Sequence, residues 1–176
     1  IAGGVPATLL TLERPHALTA PVTSNFVFAV GGQNSSDGGS LIRTAKVGGA
    51  AEPIGIASGS MGPARAIYAA TDGFAYVTFL ADAATHTPAL ARFGLSAGVS
   101  TASVLYSAVA DESGGPVVAS GNCVYWISNG AVYTMPTGGA PDRTDALATQ
   151  VSDAVGIAAD AVNFYYTRGE GSVWSR

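Results

Sequence analysis

The strongest constraint on this chain is a repeat. Four pairs of small residues, Gly3-Gly4, Gly48-Gly49, Ala97-Gly98 and Gly138-Gly139, have second members spaced 45, 49 and 41 residues apart. Before three of the pairs lies a short β-like run: Leu41–Thr44, Leu90–Phe93 and Val132–Met135. A fourth such run, Ser172–Arg176, ends the chain. Upstream of each run is an aromatic, β-branched stretch of high strand propensity: Phe26–Val30, Ala75–Phe79, Val124–Ile127 and Phe164–Thr167. Upstream again sits a small, apolar run: Ala17–Ala20, Ala66–Ala70, Pro116–Ala119 and Gly156–Ala159. A more polar strand candidate follows each small pair: Ala7–Leu12, Glu52–Ala57, Thr101–Ser107 and Arg143–Thr149. A unit this short cannot bury its faces alone, so its copies must stack on one another.

The pattern predicts an all-β chain, a β-propeller of four four-stranded blades of about 44 residues in a single domain. The blades fall at about 16–60, 65–110, 115–150, and 155–176 joined by 1–12. Val132–Gly139 spans eight residues, and so does Val173–Arg176 continued at Ile1–Gly4. The N-terminal strand is therefore expected to complete the C-terminal blade and close the ring, leaving no open sheet edge at the seam. A β-sandwich is the competing architecture, since it too gives short strands at regular spacing. One segment fits neither. From Asp142 to Val155 there is no Gly or Pro, and Leu147, Val151 and Val155 fall at helical spacing, which predicts a short helix.

The third unit carries a family resemblance. Gly121-Asn122-Cys123-Val124-Tyr125-Trp126-Ile127-Ser128, followed by Gly130-Ala131-Val132-Tyr133-Thr134-Met135-Pro136-Thr137-Gly138-Gly139, resembles bacterial β-propeller repeats of the YWTD/NHL type, and Phe164-Tyr165-Tyr166-Thr167 is the next best match. The aspartate that closes the YWTD signature is replaced in all four copies, by Val30 or Gly31, Phe79, Ser128 and Arg168. A calcium or ligand role belonging to that family is therefore not carried over.

Composition narrows the function classes. The 176 residues hold 8 basic and 12 acidic side chains, scattered, for a net charge of −4, so there is no clustered positive field for a nucleic acid. No apolar run is long enough for a membrane-spanning helix. Cys123 is the single cysteine, which excludes an internal disulfide or a cysteine-rich zinc site. Low charge with abundant small residues is the texture of extracellular or cell-surface β-proteins.

In a propeller, the loops leading into the inner strands share one end with the loops between second and third strands, and function gathers there. The inner strands begin near His16, Arg65, Gly115 and Val155. The second-to-third connections are long in the first two units, Gly31–Ser40 and Ala81–Pro88, and short in the others, around Asn129-Gly130 and Arg168–Gly171. A ligand site over the first two blades would draw on His16, Gln33, Asn34, Asp37, Arg65, Asp82 and His86. The plainer alternative is that these are solvated turn residues. The two histidines are 70 positions apart with no close carboxylate, which gives no metal site, and no cofactor or catalytic residue is expected. Asp160 reads as a turn cap, Cys123 as a small buried hydrophobe, and Trp126, Trp174, Tyr125 and Tyr165 as packing between blades rather than a sugar platform.

Three fragments imitate chymotrypsin-like proteases: Ile1-Ala2-Gly3-Gly4, His16–Ala20 and Glu112-Ser113-Gly114-Gly115-Pro116. No histidine follows Leu18-Thr19-Ala20, and Glu112 stands where the nucleophile's Asp should be, so Ser113 has no base. The expectation is a non-enzymatic binding or scaffold propeller presenting loops to a glycan, peptide or protein. The alternatives are a propeller hydrolase, lactonase or lyase with a funnel metal, and half of an eight-bladed homodimeric ring or a fragment of a longer propeller.

Overall fold

Each unit of the repeat pairs with itself, strand by neighbouring strand. The structure is a computed structural model in which residues 15–21, 23–31, 40–56, 64–79, 88–96, 100–107, 114–128, 130–138, 148–149 and 154–175 are described. The first sheet holds β1 (Pro15–Thr19), β2 (Phe26–Gly31), β3 (Ser40–Ala45) and β4 (Glu52–Ile56), antiparallel in chain order. The second holds β5 (Ala64–Ala69), β6 (Phe74–Phe79), β7 (Pro88–Gly94) and β9 (Ser103–Ser107). Between β7 and β9 a two-residue strand, β8 (Ser100–Thr101), pairs in parallel with β4 and becomes a fifth strand of the first sheet. The third sheet holds β10 (Gly114–Ser120), β11 (Cys123–Ser128), β12 (Ala131–Pro136) and β13 (Ala148–Thr149). The fourth holds β14 (Ala154–Ala159), β15 (Phe164–Arg168) and β16 (Val173–Ser175). Four separate sheets, in place of two, exclude the sandwich.

The helix expected over Asp142–Val155 is not found where that segment is described. Ala148–Thr149 pairs with β12, and Val155 lies in β14. Pairing to an existing sheet outweighs a weak helical spacing that no caps support. Residues 139–147 and 150–153 lie outside the described residues, as does the candidate strand Ala7–Leu12.

The core consists of the layers between sheets. Phe28, Val30, Leu41 and Ile54 of the first sheet pack on Ile67, Val77, Phe79 and Phe93 of the second. The second sheet's other face, with Tyr76, Leu90, Leu105 and Tyr106, packs on Val117, Val124, Trp126 and Tyr133 of the third. Ile127 and Val132 on the third sheet's far side meet Phe164, Ile157 and Tyr166 of the fourth. The inner strands follow in chain order, β1 beside β5, β5 beside β10 and β10 beside β14. In the second and third sheets, alternation along the strands thus serves two cores, one on each side.

Polar atoms tie the same layers. The Thr78 hydroxyl donates to the Gly115 carbonyl at 2.6 Å, joining the second sheet to the third. Arg92 Nη1 donates to the Thr137 carbonyl at 2.8 Å while its guanidinium lies 4.6 Å above the Phe74 ring. Arg43 repeats the stacking one sheet earlier, 4.7 Å above Phe26, and pairs with Glu52 at 2.8 Å. Burial, reinforced by a hydrogen bond to Asp72, pushes the Tyr76 phenol far up. The Ser120 hydroxyl donates to the Asp160 carbonyl at 2.8 Å, joining the third sheet to the fourth.

Trp126 is the largest fully buried side chain, and it stacks on Tyr133 at 5.4 Å. Its indole N–H finds no acceptor among the described residues. Trp126→Ala should cost about 3–5 kcal/mol in urea unfolding. Trp126→Phe should cost much less, because it also removes the unpaired N–H. Equal losses for the two variants would contradict this packing.

Candidate functional site

All four inner strands depart from regular pairing near their first residue. In β1, Pro15 pairs with Gly31 and Ala17 with Val30, so His16 is the extra residue. In β5, Ala64 pairs with Phe79 and Ala66 with Thr78, which leaves Arg65. In β14, Ala154 pairs with Arg168 and Gly156 with Thr167, which leaves Val155. In β10 the irregularity spans Gly115 and Pro116, between the pairs Gly114–Ser128 and Val117–Trp126. A bulge frees its residue from the ladder and re-aims the side chain, a device found at barrel rims and beside sites. Here it occurs at one level of every sheet.

The bulges fall at the end where the expected site lies. β2 leaves its sheet at Gly31 and β3 returns at Ser40, a pair level with Pro15. β6 ends at Phe79, opposite Ala64. The chain between these strands carries Gln33, Asn34 and Asp37 in one case and Asp82 and His86 in the other, and those five residues lie outside the described ones. Of the seven expected residues, the structure therefore places two. Arg65 is exposed on the bulge of β5. His16 is the bulged residue of the neighbouring β1, and its side chain is outside the described set.

The other two sheets close this end tightly. Gly130 and Gly171 turn the short β11–β12 and β15–β16 connections at φ of 71° and 91°, where glycine is favoured. Gly115 is glycine for a different reason. A Cβ there would lie 2.9 Å from the Ile127 carbonyl oxygen. Among the described bulge residues of this end, Arg65 is exposed on the second sheet and Val155 is 65% exposed on the fourth. Of the fragments that imitate a protease, Leu18 and Thr19 lie in β1 and Gly114–Pro116 opens β10, while Ile1–Gly4, Glu112 and Ser113 lie outside the described residues.

The opposite end is structural. Asp160 accepts from the backbone N–H groups of Asn163 and Val162, both at 2.8 Å, and from the Tyr165 hydroxyl at 2.8 Å. It is the turn cap its position suggests. Asp72 repeats the arrangement in the second sheet, accepting from the Phe74 N–H and the Tyr76 hydroxyl. Nothing in the sequence ties each aspartate to its tyrosine until the register is known. Trp126 and Tyr125 are packing groups, the latter stacked on Phe164 across the third junction at 5.8 Å. Cys123 is half-buried at the start of β11.

The architecture has solved counterparts. The chain superposes on the computationally designed Ika4 protein with a TM-score of 0.67 at 12% identity, covering 98% of both chains. The fold is propeller-like. The computationally designed Ika8 protein superposes with a TM-score of 0.65 at 14% identity, over 95% of this chain and 48% of that one. This propeller-like chain therefore spans about half the length of Ika8. A chain of a nidogen/laminin complex superposes more loosely, with a TM-score of 0.46 at 11% identity, over 92% of this chain and 74% of that one. No protein-family model and no curated protein matches the sequence. At these identities the likenesses show the fold alone. Among the described residues no helix is long and apolar enough to cross a membrane.

The hydrogen bonds from Asn163, Val162 and Tyr165 hold the Asp160 carboxyl below its ordinary value of 3.8. The ionised form gains, so this stabilisation is present above the ordinary value and is lost as pH falls through the lower, folded value. Asp160→Asn keeps an acceptor oxygen but cannot titrate. The gap between the unfolding midpoints of the two proteins should be constant at neutral pH and narrow below pH 3.8. A gap that widens in acid would reverse the assignment.

Proposed function

We propose that the chain is a non-enzymatic binding or scaffold propeller, extracellular or at the cell surface, that presents its bulged end to a glycan, peptide or protein. The recurrence of a bulge at the start of every inner strand carries this reading. Around it the register-equivalent core positions stay apolar or small, while the bulged residues are His16, Arg65, Gly115 with Pro116, and Val155. Positions that keep their backbone geometry but change side chain from sheet to sheet are where a repeat scaffold can hold chemistry without disturbing its packing.

The ligand is held over the first two sheets by Arg65 and His16, with Gln33, Asn34, Asp37, Asp82 and His86 contributing from the two long connections. An exposed guanidinium suits a carboxylate on an acidic sugar or an acidic peptide, which it grips with two parallel N–H···O bonds. The described bulge residues bring a guanidinium, a glycine, a proline and a valine, and no carboxylate for acid–base work. Binding depends on a rigid frame, so little ordering is lost on capture. In the same reading residues 1–12 lie beside β16, of the same chain in a ring of four sheets or of a second copy in a ring of eight, and give the last blade its fourth strand.

Two experiments test these statements. On glycan and acidic-peptide arrays, the wild-type chain should retain one ligand class, and Arg65→Ala should weaken that binding about tenfold or more at an unchanged melting temperature. Binding that is indifferent to Arg65 would sink the site. A chain lacking residues 1–12 should unfold in one transition at a lower urea midpoint. If it unfolds like the full chain, those residues are not a strand of the last blade.

A further inference from the structure

The two ends of the stack of sheets are halves of a junction that the chain builds three times. Register shows this position by position. On the face each sheet turns towards its successor, Leu41, Leu90 and Val132 are equivalent, paired with Val30, Thr78 and Ile127. Their exposures are 1%, 0% and 0%. The fourth sheet carries the same position as Val173, paired with Thr167, and it is 69% exposed. On the face each sheet turns towards its predecessor, Ile67 and Val117 are equivalent, and both are 7% exposed. The first sheet carries that position as Leu18, paired with Ala29, and it is 71% exposed.

A recess of about 300 Å³ runs along the fourth sheet, lined by Gly156, Ala158, Tyr165, Thr167 and Val173, which alternate onto its open face, and by the neighbouring Ile157 and Tyr166. Its lining is almost wholly apolar, and a knob on a facing sheet would fill it, as Ile67 and Val117 fill their own junctions. Among the described residues β14 and β1 do not pack against each other as the other inner strands do. Among the described residues the four sheets thus leave one half-junction at each end. The Ika8 likeness bears on what completes it, since this chain matches 48% of that longer chain about as well as it matches all of Ika4.

We infer that a second copy of this chain covers both ends, with the fourth sheet of each copy stacked on the first sheet of the other to make a ring of eight sheets. The arrangement is two-fold symmetric and closed, so it stops at two copies. Leu18 of one copy enters the recess beside Val173 and Tyr165 of the other. The Thr78 hydroxyl, which donates to the bulged Gly115 on the next sheet, has its equivalent in Thr167. The bulged residue Thr167 meets across the new junction is His16 of the second copy.

Light scattering on the purified chain tests this. The expected mass is twice 17.5 kDa at micromolar concentration. Leu18→Lys and Val173→Lys alter side chains exposed in the single chain, so each variant should keep its far-ultraviolet dichroism while its mass falls to 17.5 kDa. Mixing the two variants should restore part of the doubled mass, because a mixed pair has one unaltered junction and gathers both lysines in the other. A wild-type chain that runs at 17.5 kDa would overturn the inference, leaving the open faces to each other within one chain. So would a doubled mass that survives both substitutions, which would place the contact elsewhere.

Discussion

Each sheet is only three to five strands wide, and the second and third are apolar on both sides, so they depend on neighbours front and back. That requirement organises the rest of the molecule. It puts Phe28 and Val30 against Ile67 and Val77, repeats the contact as Tyr76 and Leu90 against Val117 and Trp126, and repeats it again at Ile127 and Val132. The partly buried hydrogen bond from Thr78 to Gly115 and the cation–π contacts of Arg43 and Arg92 add direction to a force that is otherwise non-directional. Wherever a neighbour is missing, the same residue type in the same register is left in water, as Val173 shows.

Most of the architecture could be read from the residues. The second and third strands of every unit sit where their aromatic and β-branched runs stand, from Phe26–Gly31 to Val173–Ser175. Strand propensity and turn glycines are local signals, and these strands are joined by local connections. Three features escaped. β8 is two residues of Ser and Thr, too short to carry a pattern. The spacing of Leu147, Val151 and Val155 imitated a helix because three apolar positions are a small sample, and sheet pairing overrode it at both described ends. The bulges left no trace, since one extra residue changes the pairing of a strand without changing the strand's own composition.

For the candidate site the sequence offers a location more than a constellation. Chain order alone puts the starts of the inner strands beside the second-to-third connections, which is why His16 and Arg65 fall at one level. What they do there depends on the unpaired geometry that only the register reveals. The opposite end shows the contrast. Asp72 and Asp160 face Tyr76 and Tyr165 across tight turns, and their hydrogen bonds are spent on the chain itself. Two ends built from the same strands thus divide the work, with the capped turns fixing the frame and the bulges releasing side chains from it.

Up-and-down connectivity also sets the order in which such a chain can assemble. The third and fourth sheets are made of contiguous segments, so each can form from contacts close in sequence before it docks. The first sheet is different. Its last strand is β8, which arrives only after β5, β6 and β7 have been laid down, and it joins in parallel through Gly55–Ser100 and Ile56–Thr101. Those two residue pairs bind the first sheet to the second before the second has received β9. The first two sheets are therefore interlocked over Pro15–Ser107, whereas the third and fourth are each complete in themselves.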